Sequence, residues 1–194
     1  MSWRRVDLGF VSAYVLFRGG EAAIVDTGVQ GSGDDIEAAL MAVGLGWDAV
    51  GHVVLTHRHG DHIGSVDEVL ARATAATGYA GTAELSSIGV PRPLVAVGDG
   101  DEVFGLRVIE TPGHTIGHIS VLDPVAGILV AGDALNTSGG NVTGANPQFS
   151  SDMDVARASV AKLAGFAFET LLVGHGPPIE SGASALVAAL AAGG

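Results

Sequence analysis

Val53-Val54-Leu55-Thr56-His57-Arg58-His59-Gly60-Asp61-His62 sets three imidazoles and a carboxylate within six residues, directly after an apolar strand. Packing does not account for such a cluster. Histidine is polar, and grouping it at a strand end without partners costs stability. Neutral imidazole is a good ligand for zinc and similar ions, and a carboxylate can bind or orient a water. In an extended stretch His57 and His59 point the same way and can chelate one ion, while Arg58 alternates away from it. Asp61 and His62 fall past the strand, in the turn entering the next helix, where they can face a second ion.

Other polar residues downstream obey the same positional rule. His114 follows Val108-Ile109 through a Thr111-Pro112-Gly113 turn, Asp133 follows Ile128–Ala131, and His175 follows Leu171–Val173. Each sits just beyond the C-terminal end of a predicted buried strand, where ligand sites lie in open α/β sheets. Five of the chain's seven histidines occupy such positions. With no cysteine in the sequence, disulfides, thiolate nucleophiles and thiolate ligands are excluded together, and His, Asp and Glu remain as donors.

The 194 residues suit one domain over 1–194, and 47% hydrophobic residues predict a packed interior. A formal charge of -12 leaves no basic track for phosphates, so a nucleic-acid partner is not expected. Met1-Ser2-Trp3-Arg4-Arg5 could open a signal peptide, but Asp7, Gly9 and Arg18 interrupt any apolar run behind it. No window approaches the ~18–20 apolar residues of a membrane span, which makes the cytoplasm the expected location.

Around the motif, short apolar runs alternate with helical patterns. Val6–Phe10, Tyr14–Phe17 and Ala22–Val25 read as antiparallel strands, with Gly19-Gly20 as a tight turn. Ser32 with Asp35, and Ser65 with Glu68, read as capping boxes for two helices. Ile36, Leu40 and Val43 would line the buried face of the first, and Val66, Val69, Leu70 and Ala73 that of the second. Further strands are predicted at Leu94–Val97, Leu106–Ile109, Ile119–Leu122, Ile128–Ala131 and Leu171–Val173, and helices near Asp152–Ala164 and Ser181–Ala192. The stretch Asn136–Ser150, rich in Gly, Asn, Ser and Thr, reads as a long loop. A weak two-part echo is present: Asp26 and Asp133 each end a strand before a helix, and His57 and His175 each end the next strand.

His57-Arg58-His59-Gly60-Asp61-His62, Thr111-Pro112-Gly113-His114-Thr115, Gly132-Asp133 and Gly174-His175-Gly176 resemble, in order and spacing, the metallo-β-lactamase-like superfamily, and in particular the glyoxalase II-type dinuclear site. Asp26-Thr27-Gly28 is similar to that family's early Asp-x-Gly turn. The resemblance implies an α/β fold, a four-layer αββα sandwich with the site at one edge. It implies that His57, His59 and His114 bind one divalent ion, that Asp61, His62 and His175 bind a second, and that Asp133 bridges them. Zinc is the first choice of metal, with manganese or iron as alternatives. A water between cations ~3.5–4 Å apart would be deprotonated near neutral pH, with Asp61 holding it in line as the catalytic carboxylate.

Not every polar residue is assigned a ligand role. Asp26 divides between turn chemistry and orienting a ligand histidine. His118 reads as a structural or orienting histidine rather than a ligand, and His52 as a satisfied or exposed one. The loop Asn136–Ser150 would border the pocket, where Asn141, Asn146 and Gln148 could touch substrate. Glyoxalase II relatives continue into a helical part with basic residues for glutathione, so a glutathione thioesterase is not expected. True β-lactamases are mostly exported and lack the bridging aspartate that Asp133 matches, so antibiotic hydrolysis is not expected either. The expected activity is hydrolysis of a small ester, thioester or lactone. Two rivals are an iron oxygenase resembling the persulfide dioxygenases, using His57, His114 and Asp133, and a non-catalytic metal-stabilised binding module.

Overall fold

Gly19 and Gly20 take left-handed φ values of 59° and 86° in the computed structural model, which describes residues 1–193. Only glycine adopts such a pair without strain, and the turn closes the hairpin between β2 (Ser12–Arg18) and β3 (Glu21–Val25). This hairpin belongs to the first of two compact units, Met1–Val97; the second runs from Gly98 onward.

The first unit is a six-stranded sheet in the order β1-β2-β3-β4-β5-β6. Strand β1 (Ser2–Asp7) is antiparallel to β2, while β4 (Val50–Leu55), β5 (Thr77–Gly81) and β6 (Val95–Val97) run parallel with β3. Helices α1 (Gly33–Ala42), α2 (Gly60–Ile63) and α3 (Val66–Arg72) connect the parallel strands. Ile36 and Leu40 of α1 and Val69 and Leu70 of α3 pack with Ile24, Val53 and Leu55 of the sheet in one core.

Two expectations need correction here. The strand predicted over Val6–Phe10 instead begins at Ser2 and ends at Asp7. Asp7 Oδ1 accepts from the Gly9 amide and Leu8 N–H reaches Val11 O, so Leu8–Phe10 is a turn and Phe10 is exposed. The charges of Arg4 and Arg5 mask an edge strand, whose outer positions tolerate them. The second correction concerns the capping boxes, neither of which forms. Helices α1 and α3 do follow Ser32 and Ser65, but neither hydroxyl caps its own helix. Ser65 Oγ donates to Val29 O at 2.6 Å and accepts Ser32 N–H at 2.8 Å, and Ser32 Oγ also donates to Val29 O. The two serines are spent on stitching the loop before α1 to the start of α3. Strand β5, unforeseen in sequence, carries Gly78 where a Cβ would meet Leu94 Cδ2 at 2.5 Å.

In the second unit the sheet order is β13-β10-β9-β8-β7. The strands are β7 (Glu102–Val103), β8 (Leu106–Glu110), β9 (Ile119–Asp123), β10 (Ile128–Gly132) and β13 (Thr170–Val173). Only the β10–β13 pair is parallel. Helix α4 (Met153–Leu163) is capped by Asp152, whose side chain accepts from Asp154 N and Val155 N, and α5 (Ala183–Gly193) ends the described chain. Leu163 and Val187 from these helices pack with Ile109, Leu129 and Leu171. The predicted long loop contains a further hairpin, β11 (Leu135–Ser138) with β12 (Asn141–Gly144). Its turn, Gly139-Gly140 with φ of 57° and 81°, repeats the chemistry of Gly19-Gly20. Polar composition hid the hairpin because these strands bury few side chains.

The sequence echo has a topological basis. Strands β3 and β4 are parallel neighbours that lead into Asp26 and His57, and β10 and β13 are parallel neighbours that lead into Asp133 and His175. The correction is that Asp133 precedes the β11–β12 hairpin, not a helix. Each unit, taken by itself, is a sheet with its own helices. Replacing Ser65 with Ala removes two hydrogen bonds that join the loop before α1 to the start of α3, each worth about 0.5–1.5 kcal/mol, and should lower unfolding free energy by about 1–3 kcal/mol. Glu68→Ala, which a capping box would make comparably harmful, should cost less. Urea denaturation of both variants measures this, and a larger loss for Glu68→Ala would overturn the assignment.

Candidate metal centre

Asp26 leaves β3 with a positive φ of 61°, a conformation that aspartate tolerates better than most residues. Its N–H is held by Val54 O, and the following Thr27 N–H by His62 O. So placed, the buried carboxylate of Asp26 accepts three hydrogen bonds. Oδ1 takes Thr56 N–H at 2.8 Å, and Oδ2 takes both Thr56 Oγ1–H and His62 Nδ1–H at 2.8 Å. With its proton given to Asp26, Thr56 Oγ1 accepts His57 Nδ1–H at 3.0 Å. One carboxylate therefore fixes the tautomer of two histidines and puts the lone pair of each on Nε2.

His57 and His62 are fully buried, with ring centroids 4.1 Å apart, and the half-buried His59 ring lies 4.6 Å from that of His57. The His57 ring meets that of His59 edge-on, at 82°, and that of His62 at a tilt of 49°, so the three imidazoles converge without stacking. Asp61, on α2, brings Oδ2 to 3.9 Å from His62 Nε2. Arg58 turns aside as the alternation predicts, and its guanidinium meets both oxygens of the buried Glu84 at 3.1 and 3.2 Å.

The second unit collects the remaining donors. Asp133 Oδ2 lies 3.4 Å from His114 Nε2 and 3.2 Å from His175 Nε2, so one carboxylate oxygen serves two imidazoles. His114 Nδ1 faces Ser150 Oγ at 3.1 Å; the serine proton goes to Asn146 O, so Ser150 accepts and the His114 lone pair is again on Nε2. Gly113, at φ 125°, is required there, because a Cβ would stand 2.2 Å from Ala156 N.

Both nitrogens of the buried His118 are engaged within the protein. Nε2 accepts Asp133 N–H at 3.1 Å, and Nδ1–H donates to Thr111 Oγ1 at 2.8 Å. A relay through Thr111, Ser120 and Ala131 O completes that bond set and locks one tautomer. His118 thus positions the backbone of Asp133. His52 is half-buried on β4, its ring 5.8 Å from that of Tyr79, and burial holds its pKa below the usual histidine value.

Thr56 and Ser150, which orient His57 and His114, were not anticipated; a hydroxyl beside a ligand histidine is too common a pattern to single out. Among the loop polars, Asn146 builds its own turn by accepting Gln148 N–H and Ser150 Oγ–H, while Asn141 sits at the exposed start of β12. Of the seven residues expected as ligands, His57, His59, Asp61 and His62 gather in the first unit and His114, Asp133 and His175 in the second. The donors are imidazole nitrogen and carboxylate oxygen, with lone pairs directed by hydrogen bonds. That set fits zinc, manganese or iron.

The metallo-β-lactamase superfamily model matches residues 6–175. The chain is 30% identical over 203 residues to a probable metallo-hydrolase of Bacillus subtilis (strain 168), YflN, covering 80% of this chain and 75% of that protein. It is 40% identical over 121 residues to the hydroxyacylglutathione hydrolase of Alkalilimnicola ehrlichii, covering 61% of this chain but only 43% of the hydrolase. Among solved structures, TTHA1623 in a di-iron-bound form superposes with a TM-score of 0.74 at 25% identity, covering 92% of each chain. No helix among the described residues is long and apolar enough to cross a membrane. The family match across most of the chain, with the histidine and aspartate groups in place, makes this protein a member of the metallo-β-lactamase superfamily and gives it that superfamily's α/β fold.

Proposed function

We propose that this chain is a dinuclear metal-dependent hydrolase of a small ester, thioester or lactone. The observation that carries the reading is Asp133 Oδ2 placed within 3.4 Å of His114 Nε2 and 3.2 Å of His175 Nε2, the posture of a carboxylate shared between two ions. His57, His59 and His114 would hold one ion and Asp61, His62 and His175 the other, with Asp133 common to both, as the superfamily resemblance implies. Paired divalent ions, when bound, supply Lewis acidity and a water deprotonated near neutral pH.

The chain's own residues do the rest. Asp26, directly and through Thr56, keeps the Nε2 lone pairs of His62 and His57 available; Ser150 does so for His114, and His118 holds Asp133 in place. Asp61, half-buried beside His62, would orient the attacking water and take its proton. In the net reaction the water oxygen bonds to the acyl carbon, the C–O or C–S bond breaks, and the departing alcohol or thiol takes up a proton. The similarity to a hydroxyacylglutathione hydrolase favours a thioester among the candidate substrates, and the di-iron neighbour makes iron a candidate metal beside zinc.

Elemental analysis of loaded protein should approach two ions per chain, and saturation at one with full activity removes the dinuclear reading. Asp133→Ala should lower turnover about a hundredfold or more and weaken metal retention, while His118→Ala should leave metal content closer to wild type. The reverse pattern would mean the ligands are misassigned. Asp26→Asn tolerates the same backbone but gives up the carboxylate behind two histidines; metal titration should show affinity lower by about 10–100-fold. Equal affinity would reduce Asp26 to a turn residue. The zinc-loaded protein should hydrolyse a thioester or lactone under nitrogen as fast as in air. Iron-dependent oxygen uptake with glutathione persulfide, and no hydrolysis by the zinc form, would replace the hydrolase with the dioxygenase built on His57, His114 and Asp133.

A further inference from the structure

Within the second unit, the β11–β12 hairpin and helices α4 and α5 border a cavity of about 880 Å³. That volume lies in the range of small-molecule sites, roughly 300–1,000 Å³. Its apolar lining comes from Met153, Val160, Ala161, Leu190 and Ala191. His175 also lines it, and the same histidine brings Nε2 to 3.2 Å from Asp133 Oδ2. Arg157 is the one fully charged side chain in the lining, and its guanidinium is already paired with Asp154. Asn136, Thr137, Ser138, Thr143 and Asn146 add neutral polar groups, so the walls offer little to an ionic ligand while keeping an apolar face for a hydrocarbon.

A second observation points the same way. Ile116 and Phe149 are large apolar side chains left 69% and 64% exposed. They stand on the two loops joined by the His114 Nδ1–Ser150 Oγ contact and by Ser151 N–H to His114 O. Exposed apolar groups on the loops around His114, and separately an apolar cavity that reaches His175, each suit a substrate whose non-reacting part is a chain or ring of carbon.

We propose that this cavity seats the acyl chain of the substrate, making the preferred substrates medium-chain acyl esters or thioesters rather than acetyl or strongly charged ones. The proposal rests on the hydrolase reading above for what happens at the carbonyl, but the cavity's affinity for hydrocarbon can be measured without metal. A second copy of this chain is a poorer occupant, because the surface is concave and holds no complementary charge beyond the engaged Arg157.

The chain has three methionines, Met1, Met41 and Met153, and only Met153 lines the cavity, so methyl-¹³C-methionine NMR reports on it directly. Titration with 1-hexanol, 1-octanol and 1-decanol should shift the Met153 methyl saturably and leave the other two in place. Affinity should rise about two- to fourfold per added methylene. Ala161→Trp, at an exposed position of α4 facing the cavity, should weaken octanol binding at least tenfold, with Ala158→Leu as the alternative if the first variant folds poorly. A silent Met153 overturns the proposal whatever the enzyme hydrolyses, as does a Met153 shift that follows protein concentration instead of alcohol. With metal-loaded enzyme, KM for butyryl, hexanoyl and octanoyl thioesters should fall by the same factor per methylene while kcat changes little. Octanol binding with a flat KM series overturns the cavity as a substrate site. Octanol binding with no hydrolysis of any acyl substrate overturns the hydrolase reading itself, and with it the acyl-chain assignment.

Discussion

The carboxylate of Asp26, 3% exposed and holding Thr56 N, Thr56 Oγ1 and His62 Nδ1, is the contact on which the first unit's chemistry depends. A buried carboxylate without partners would be costly, and three hydrogen bonds to it offset that cost. The bonds come from two different segments, the end of β4 and the α2 turn, so the same residue anchors both segments that carry His57 and His62. Its own backbone is locked in turn: Asp26 N–H to Val54 O, Thr27 N–H and Thr27 Oγ1 to His62 O, and Gly64 N–H to Gly28 O. Gly64 allows that last approach, since a Cβ there would lie 2.5 Å from Gln30 N. The imidazoles are thus oriented by the protein before any ligand arrives, which is what preorganised binding needs.

The second unit reaches a comparable result with neutral groups. There the backbone of Asp133 is fixed by His118 Nε2, and the proton chain from His118 Nδ1 through Thr111 and Ser120 ends on Ala131 O, in the strand that delivers Asp133. The carboxylate is left to the imidazoles of His114 and His175. A charged residue in the place of His118 would compete with that role, whereas a neutral imidazole accepts one bond and donates another without adding charge.

Most of the first unit's site was legible because its donors are close in sequence and strand periodicity says which way they point. His57 and His59 alternate with Arg58, and the structure duly turns Arg58 to Glu84. The positional rule also located His114, Asp133 and His175, because each follows a run of buried aliphatic residues. What remained hidden depends on contacts between distant segments. Nothing local shows that Ser65 binds Val29 and Ser32 instead of capping α3, that Glu84 answers Arg58, or that Thr56 and Ser150 set histidine tautomers. The β11–β12 hairpin was missed for a different reason. Its strands carry Asn, Thr and Ser, so the alternation that marks a half-buried strand is absent, and only Gly139-Gly140 signalled the turn.

That hairpin gives the second unit a mechanical link between His175 and the cavity. Thr137 N–H donates to His175 O at 3.1 Å and Thr137 Oγ1 to Pro177 O at 2.6 Å, binding β11 to the loop that carries His175. Gly176 permits the contact, for at φ 110° a Cβ would fall 2.1 Å from Thr137 O. Asn136, on the same strand, clamps the hairpin by donating to Gly144 O. A side chain at position 176 would push the hairpin away, moving a wall of the cavity and the backbone of His175 together. Strand β11 thus serves two purposes at once, contributing Asn136, Thr137 and Ser138 to the cavity wall while Thr137 fixes the backbone of His175.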